Sequence, residues 1–468
     1  MERKVDVAII GAGTAGIDAM MEVQKVTDNF VLINGGLLGT TCARVGCMPS
    51  KVMIQVADDF HRRHLLTQEG IKGADALNIH IGDALAHVRS LRNRFYGGII
   101  SDLIDPLEEK FIDGYASFIE PTLLEVNDGK IRAGAVVIAT GSRPVIPRKW
   151  ERFKDRILTT DTLFEQSTLP RDIAVVGLGA IGLELGQAFK RMGLNVTGFD
   201  LLRHIGGLKD PDVNRVAVDL LAEELPMHLG AGAEIEEDRG RIRVTAATAS
   251  ALVDTVLVST GRRPNLERLH LDRLGIEFDD RGMPLFDRQT LQIGGLPIFI
   301  AGDSNNFRPV LHEASHDGLV AGFNAVHDPR IAFKRKTPMT IAFSDPNICI
   351  VGASWAEVKD RKPAIGTARF RGGRIKIMLR EGGMIRVYAD QRNGRIWGAE
   401  MAAPGGEHLA HLMAWSIQNE QTVFDLLSMP FYHPCIEETL QEALENLAGQ
   451  VEGARSPLLG FDAMPPGS

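Results

Sequence analysis

Val7-Ala8-Ile9-Ile10-Gly11-Ala12-Gly13-Thr14-Ala15-Gly16 opens the chain's first long apolar run, and its pattern returns 166 residues later as Ile173-Ala174-Val175-Val176-Gly177-Leu178-Gly179-Ala180-Ile181-Gly182. Each is a GxGxxG turn directly after an apolar strand and before a helical pattern, the context a dinucleotide fingerprint requires. Glycines there let backbone amides approach a pyrophosphate at the positively polarised end of a helix. The same offset carries Asn34, which closes the next strand, onto Asp200.

A second pair of matches closes each unit. Val136-Val137-Ile138-Ala139-Thr140-Gly141-Ser142-Arg143-Pro144 resembles Val256-Leu257-Val258-Ser259-Thr260-Gly261-Arg262-Arg263-Pro264. From first glycine to closing threonine the first unit is 129 residues long and the second 83, so the first holds 46 residues that the second lacks. One GxGxxG is weak evidence. Two, each with strand, helix and matching closure, predict an α/β protein with two Rossmann-like domains.

Composition fits this organisation. At 468 residues against about 100–200 per domain, the chain is expected to fold as two to four domains. Forty-nine glycines amid long apolar runs point to tight turns and close backbone approaches rather than disorder. A net charge of −8 argues against a general nucleic-acid binder. No apolar stretch reaches the roughly 18 residues of a membrane span. The early strand leaves no room for a leader, and four cysteines cannot staple a fold of this size, so the expected setting is reducing cytoplasm.

The added length of the first unit begins with Gly39-Thr40-Thr41-Cys42-Ala43-Arg44-Val45-Gly46-Cys47-Met48-Pro49-Ser50-Lys51. Four residues separate the cysteines, too many for a zinc knuckle or a thioredoxin-type pair, but a distorted helical turn lets a disulfide close. Beside a dinucleotide fingerprint, such a near-neighbour pair reads as catalytic rather than structural. This segment resembles the redox-disulfide stretch of the class I flavin-dependent pyridine-nucleotide disulfide oxidoreductases, and Ser50-Lys51 resembles the dihydrolipoamide and mercuric branches more than the glutathione branch. Other carriers of the resemblance are both fingerprints, the two closures, Ile298-Phe299-Ile300-Ala301-Gly302-Asp303 and Tyr432-His433-Pro434-Cys435-Ile436-Glu437-Glu438. Together they cover nearly the whole chain. A mercuric reductase is expected to carry a further C-terminal cysteine pair, and no cysteine follows Cys435.

The resemblance implies an FAD domain over 1–144 with the redox segment at 39–51, an NAD domain over 145–267 and a return to the FAD domain over 268–336. A C-terminal α+β dimerisation domain with an antiparallel sheet over 337–452 and a loose tail over 453–468 complete the expectation. Cys47 is implied as the thiol facing the flavin and forming the charge-transfer thiolate, and Cys42 as the one exchanging with substrate sulfur. Lys51 and Glu184 are implied to pair beside the flavin ring, and Asp303 to hold its ribitol. FAD is expected on Gly11, Gly13, Gly16, Asn34, Lys51, Thr140, Gly141 and Asp303, and NAD on Gly177, Gly179, Gly182, Asp200 and Gly261. An acid such as Asp200 accepts hydrogen bonds from a ribose 2′-hydroxyl and repels a 2′-phosphate, although Arg203 nearby softens the choice. His433 is expected just before a helix and Glu438 within it, on the pattern Ile436, Leu440, Ala443, Leu444 and Leu447. A carboxylate on the far imidazole nitrogen fixes the tautomer and raises basicity. This segment lies nearly 400 residues from the cysteines, and the resemblance implies that it reaches them across a two-fold interface, making the functional unit a homodimer with composite sites. A C-terminal domain folded back onto its own chain is the alternative.

Three positions depart from the family pattern. Asn34 stands where a glutamate usually binds the FAD ribose, Phe431 replaces a histidine and Cys435 a threonine. An asparagine still hydrogen-bonds a hydroxyl. The other two changes put the acceptor in doubt, so a glutathione-type disulfide, a quinone, oxygen or a metal ion stay open beside a lipoyl-like dithiol. A non-catalytic nucleotide-binding protein would have no use for the cysteine pair, the His–Glu pair and the Lys–Glu pair together. His408 and His411 lie in an amphipathic helical pattern without carboxylate or cysteine companions, and no metal is expected. Asp83–Ile99 reads as a packing helix. Arg374–Leu379, Met384–Ala389 and Arg395–Met401 read as antiparallel strands.

Overall fold

The computed structural model describes residues 2–452 and 458–461. Of the expected loose tail at 453–468, all but 458–461 lies outside the described residues. The first sheet has seven strands. Glu2–Ile10 sits at its centre, parallel to Phe30–Asn34 on one side and Gly129–Ile138 on the other, and the late strand Ile298–Ile300 returns to pair with Gly129–Ile138. Val7, Ala8, Ile9, Val31, Leu32 and Ile33 are all fully buried, as a parallel strand covered on both faces demands.

The second sheet repeats the plan with five parallel strands centred on Asp172–Val176, between Asn195–Asp200 and Thr255–Val258. The two closures meet each other: Ser142–Pro144 pairs antiparallel with Arg262–Pro264, so the exits of the two units form one small ladder. The extra length of the first unit falls in a largely helical stretch that holds the helices Thr41–Val45, Cys47–His61 and Ile81–Ile99. The last packs through Leu85 and Val88, while Phe95 on the same helix is exposed.

The C-terminal sheet is fully antiparallel, with strands in the order 339–342, 347–352, 396–403, 384–389 and 364–369. Helices Gly406–Gln418 and Glu438–Ala448 cover it and share its core. One expected strand is corrected. Residues 374–379 contain the helix Gly373–Ile377, and the neighbour of Met384–Ala389 is Ala364–Arg369. A strand would need Ile375, Ile377 and Leu379 on one face. Only Ile375 is buried, and left-handed Gly372 and Gly373 at one end and Leu379 at the other close the segment into a turn of helix. The true strand alternates buried Ala364, Gly366 and Ala368, small residues that let the Glu438 helix approach. A Cβ at Gly366 would lie 2.1 Å from the carbonyl oxygen of Ala443. Among the described residues no helix is long and apolar enough to cross a membrane.

Candidate active site

The redox segment is built around a broken helix. Thr40 caps the short helix Thr41–Val45 by accepting the Ala43 N–H at 3.1 Å. Gly46, at φ −123° and ψ −121°, interrupts the helical path, and Cys47 begins the next helix. Cys42 and Cys47 therefore face each other across a kink that a continuous helix would not supply. The structure holds them as two thiols, Cys42 half-buried and Cys47 exposed on this protomer.

The pair shares its proton unevenly. A hydrogen bond from the Cys42 thiol is the main reason the Cys47 thiol is pulled down to about 7; desolvation opposes it, and the Lys51 cation supports it. The same hydrogen bond, with burial and the repulsion of a neighbouring thiolate, pushes the Cys42 thiol up. Cys47 also occupies the first position of a 15-residue helix, where the free N–H groups and the helix dipole favour an anion. Cys47 is therefore the more acidic thiol of the pair and Cys42 the less acidic.

Lys51 lies one turn further along, with its Nζ 2.7 Å from Glu184 Oε2 and 4.5 Å from the centre of the Phe343 ring. Glu184 is 6% exposed, and its Oε1 accepts the Phe343 N–H at 2.9 Å. The carboxylate is thus satisfied on both oxygens, and the Lys51 charge is near enough to favour the Cys47 thiolate. Phe343 carried no signal in the sequence.

Both dinucleotide cradles have the shape the fingerprints require. At Gly11 (φ +112°) a Cβ would stand 2.2 Å from the Ala139 carbonyl oxygen, and at Gly16 it would stand 1.8 Å from that of Gly11. At Gly177 (φ +95°) and Gly182 the corresponding gaps are 2.4 Å to Ser259 and 1.8 Å to Gly177. Gly13 and Gly179 differ from these: a Cβ there would meet no chain atom within 4 Å, so each glycine leaves open the face where a pyrophosphate approaches. Gly141 and Gly261 are equally open and both left-handed. The Thr140 hydroxyl is buried without a hydrogen-bond partner among the described residues, an orphan that a bound flavin dinucleotide would satisfy. These residues fit FAD in the first unit and NAD in the second.

The strand-end residues brace the fingerprint loops. Asn34 Oδ1 accepts the Ala12 N–H at 3.1 Å, and its Nδ2 donates to the Gly36 carbonyl at 3.0 Å. Asp200 accepts the N–H groups of Leu178 and Leu202 at 2.5 and 2.7 Å, one on each oxygen. Asp303 follows left-handed Gly302, and its Oδ2 accepts from Ser142 Oγ at 2.6 Å. Arg262 completes this cluster by donating to the Ser142 hydroxyl and carbonyl at 2.8 and 2.7 Å. Ser142 and Arg262 went unassigned in the sequence although both stand in the two closures.

His433 and Glu438 come together as expected, with Nδ1 2.7 Å from Oε1. The helix Glu438–Ala448 begins at the carboxylate itself. The second carboxylate oxygen accepts the Cys435 N–H at 3.0 Å, and the Cys435 thiol donates to the Tyr432 carbonyl at 2.7 Å. The hydrogen bond with His433, reinforced by the Cys435 N–H, holds the Glu438 carboxyl below its ordinary range. The His433 side chain is 77% exposed, and Tyr432 beside it is 83% exposed. The His–Glu pair is thus held firmly and left exposed on the single protomer. Among the described residues no cluster of three or more histidine, cysteine or acidic side chains could hold a metal, and His411 Nδ1 instead lies 2.7 Å from the Glu407 carbonyl within its helix.

Residues 5–318 match the family described as pyridine nucleotide-disulphide oxidoreductase, and residues 338–444 match its dimerisation domain. A dihydrolipoyl dehydrogenase of Haloferax volcanii is 30% identical over 95% of this chain and 96% of its own length. One from Geobacillus stearothermophilus is 26% identical over 95% and 97%. A mercuric reductase of Lysinibacillus sphaericus is 26% identical over 91% of this chain and 79% of its own length. Among solved structures, LpdA of Mycobacterium tuberculosis has a TM-score of 0.82 at 22% identity, covering 95% of this chain and all of that one. The Cu(II) complex of RclA, an HOCl-induced flavoprotein disulfide reductase of Escherichia coli, has a TM-score of 0.80 at 20% identity, covering 96% of this chain and all of that one, and at this identity both likenesses speak to the fold.

Proposed function

The chain belongs to the pyridine nucleotide-disulphide oxidoreductase family, and from that premise we propose that it is a dihydrolipoamide:NAD+ oxidoreductase working as a homodimer. It is an FAD-dependent disulfide oxidoreductase that uses NAD(H). The observation that carries the finer reading is the Cys42–Cys47 pair, one thiol raised and one thiolate lowered, at the head of a helix that also presents Lys51.

FAD, when bound, supplies the two-electron exchange between the nicotinamide and the cysteine pair. The chain's residues handle the sulfur and the protons. With the pair oxidised, His433 takes the proton of a substrate thiol, and the resulting thiolate attacks Cys42 Sγ. The Cys42–Cys47 bond breaks, and Cys47 leaves as the thiolate that its helix and the nearby Lys51 favour. The second substrate thiol displaces Cys42 from the mixed disulfide, and its proton passes to the departing Cys42 sulfur while His433 keeps the first. The substrate departs as a disulfide and Cys42 as a thiol. Glu438 keeps the basic nitrogen of His433 on the side away from itself, which is the tautomer this transfer needs. In the homodimer, His433 and Glu438 of one chain serve Cys42 and Cys47 of the other.

A turnover panel tests the substrate: dihydrolipoamide with NAD+, then oxidised glutathione, a quinone and Hg(II) with NADH. The highest kcat/KM is expected for dihydrolipoamide, falling by at least about a thousand-fold in Cys47→Ser. Higher kcat/KM with another acceptor would replace the substrate and leave the disulfide chemistry in place. Mixing inactive Cys42→Ser with inactive His433→Gln chains tests the shared site. Heterodimers then contain one site with neither lesion and recover activity, whereas a self-contained protomer recovers none.

A further inference from the structure

The Cys47 helix lies against the fingerprint helix Ala180–Arg191, and two ion pairs join them. Lys51 Nζ meets Glu184 Oε2 at 2.7 Å, and Asp58 Oδ1 meets an Arg191 guanidinium nitrogen at 2.6 Å. The step is seven residues on both helices, two turns and about 10 Å of rise, so the helices run in the same sense and the pairs form two rungs. The second rung is itself anchored. Arg191 is buried, its side chain 5% exposed, and it also binds both oxygens of Glu224 at 2.8 and 2.9 Å and Asp345 at 3.3 Å. Between the rungs Gln187 exchanges two hydrogen bonds with the Asp345 backbone, at 2.8 and 2.9 Å. The FAD unit, the NAD unit and the turn between the first two strands of the C-terminal sheet are therefore joined along one face of one helix.

A helix held at one rung swings about it; a helix held at two is fixed in both angle and register. We propose that Asp58 and Arg191 are positioning residues for the cysteine pair, holding the Cys47 helix against the nucleotide domain so that Lys51 stays aimed at the Cys47 thiolate. This rests on the reading of Cys47 as the working thiolate. The groups around that sulfur are Cys42, Lys51 and Glu184. Those around Asp58 are Arg191, Asp345 and Arg380, and His61 lies 3.5 Å from Glu224 on the same seam. Asp58 is eleven residues from Cys47, about 16 Å along the helix, beyond the roughly 8 Å over which exposed charges act in physiological salt. Its direct field has the wrong sign as well: deleting a nearby negative charge makes a thiol more acidic. A loosened Lys51 makes Cys47 less acidic. The two causes pull in opposite directions.

The test uses the FAD-loaded enzyme in a Cys42→Ser background, where the serine hydroxyl still donates to Cys47. The rate of iodoacetamide reaction at Cys47, followed by peptide mass spectrometry, is measured against pH. Asp58→Asn is expected to move the midpoint upward and to leave about three- to ten-fold less thiolate at neutral pH. Asp58→Glu restores part of the shift. Asp59→Asn, the same charge change at an exposed neighbour that among the described residues bonds only Gln55, leaves the midpoint in place. Arg191→Lys, which keeps the buried charge and loses the fork, shifts it in the same direction as Asp58→Asn and serves if that variant loses its flavin. A midpoint that stays put or moves downward in Asp58→Asn and Arg191→Lys overturns the ladder. Lys51→Met separates the two ideas: if it leaves the midpoint unmoved, the thiolate reading itself fails, whereas a shift with Lys51→Met alone condemns only the second rung.

Discussion

The two dinucleotide units can be laid over each other atom by atom at their glycines. A Cβ on the first glycine of either would strike the carbonyl of the residue before the closing threonine, at 2.2 and 2.4 Å, and on the third would strike the first glycine's carbonyl at 1.8 Å in both. They part company at three places. The first unit carries the helical insertion with the cysteines. It ends its second strand in a neutral amide where the other has a carboxylate. Its closing threonine keeps an unpaired hydroxyl, while Thr260 donates to the Val145 carbonyl at 3.1 Å. The cradle is what any dinucleotide needs, and the departures are where the two units differ.

The largest effect is expected from a charge placed on either open glycine. Gly13 and Gly179 have room for a side chain, so Gly13→Asp and Gly179→Asp fold without a clash but set a carboxylate against a pyrophosphate. Gly13→Asp is expected to purify colourless, with FAD affinity down at least about a hundred-fold. Gly179→Asp stays yellow and loses reduction by NADH to a similar extent. Flavin content and NADH-driven bleaching measure the two. An exchange of the two phenotypes would mean the assignment of cofactors to units is inverted.

The insertion gives the next largest effect. An ordinary thiol at 9.0 is about one per cent ionised at pH 7, whereas a thiol held at about 7 is half ionised there. Because the lowered group is an acid, the thiolate is present above pH 7 and falls about ten-fold for each unit below it. Ultraviolet thiolate absorbance of the reduced enzyme is expected to rise through one midpoint near neutrality, with Cys42 still protonated well above it. Lys51→Met moves that midpoint upward. A reduced pair titrating only near 9 would make the insertion a structural arm.

Much of this was legible because both cradles rest on local backbone rules. Gly11 and Gly177 need positive φ, strands buried on both faces need unbroken apolar runs, and the 166-residue offset exposes both. His433 and Glu438 were legible because five residues span one helix entry. What stayed hidden is what one chain segment does to another. Phe343, Arg191, Asp58 and Ser142 look like ordinary residues until tertiary packing brings Phe343 to Glu184, Arg191 to Asp58 and Ser142 to Asp303. The strand expected at Arg374–Leu379 failed for the opposite reason: alternating Ile375, Ile377 and Leu379 carry the strand period, but the flanking glycines turn the chain before any partner is met.

A smaller effect is expected at Asp200. Asp200→Asn keeps an acceptor for the loop but removes the charge that repels a 2′-phosphate. The NADH over NADPH ratio of kcat/KM is expected to fall about ten- to a hundred-fold, with Arg203 helping the phosphate. Unchanged ratios would show that selectivity lies elsewhere in the unit.

The smallest effect, and the finest test of the comparison, is at Asn34. Its amide oxygen has two lone pairs, and the Ala12 N–H occupies one, leaving a single neutral acceptor for a ribose hydroxyl. Its Nδ2 is spent on the Gly36 carbonyl. Asn34→Asp would gain a charge-assisted acceptor, worth up to about twice a neutral one. It would also lose the Gly36 bond and set a carboxylate oxygen against that carbonyl. The two nearly cancel, so FAD affinity is expected to stay within about three-fold. Asn34→Ala loses the brace on Ala12, the Gly36 bond and the ribose acceptor without compensation, and should weaken FAD about ten-fold while the protein remains yellow at high flavin concentration. Calorimetric titration of stripped enzyme with FAD distinguishes the outcomes. If Asn34→Asp binds FAD ten-fold tighter, the amide is a handicap that the carboxylate relieves. If Asn34→Ala binds as the wild type does, the strand end has no part in holding the ribose, and the correspondence between Asn34 and Asp200 is one of backbone position alone.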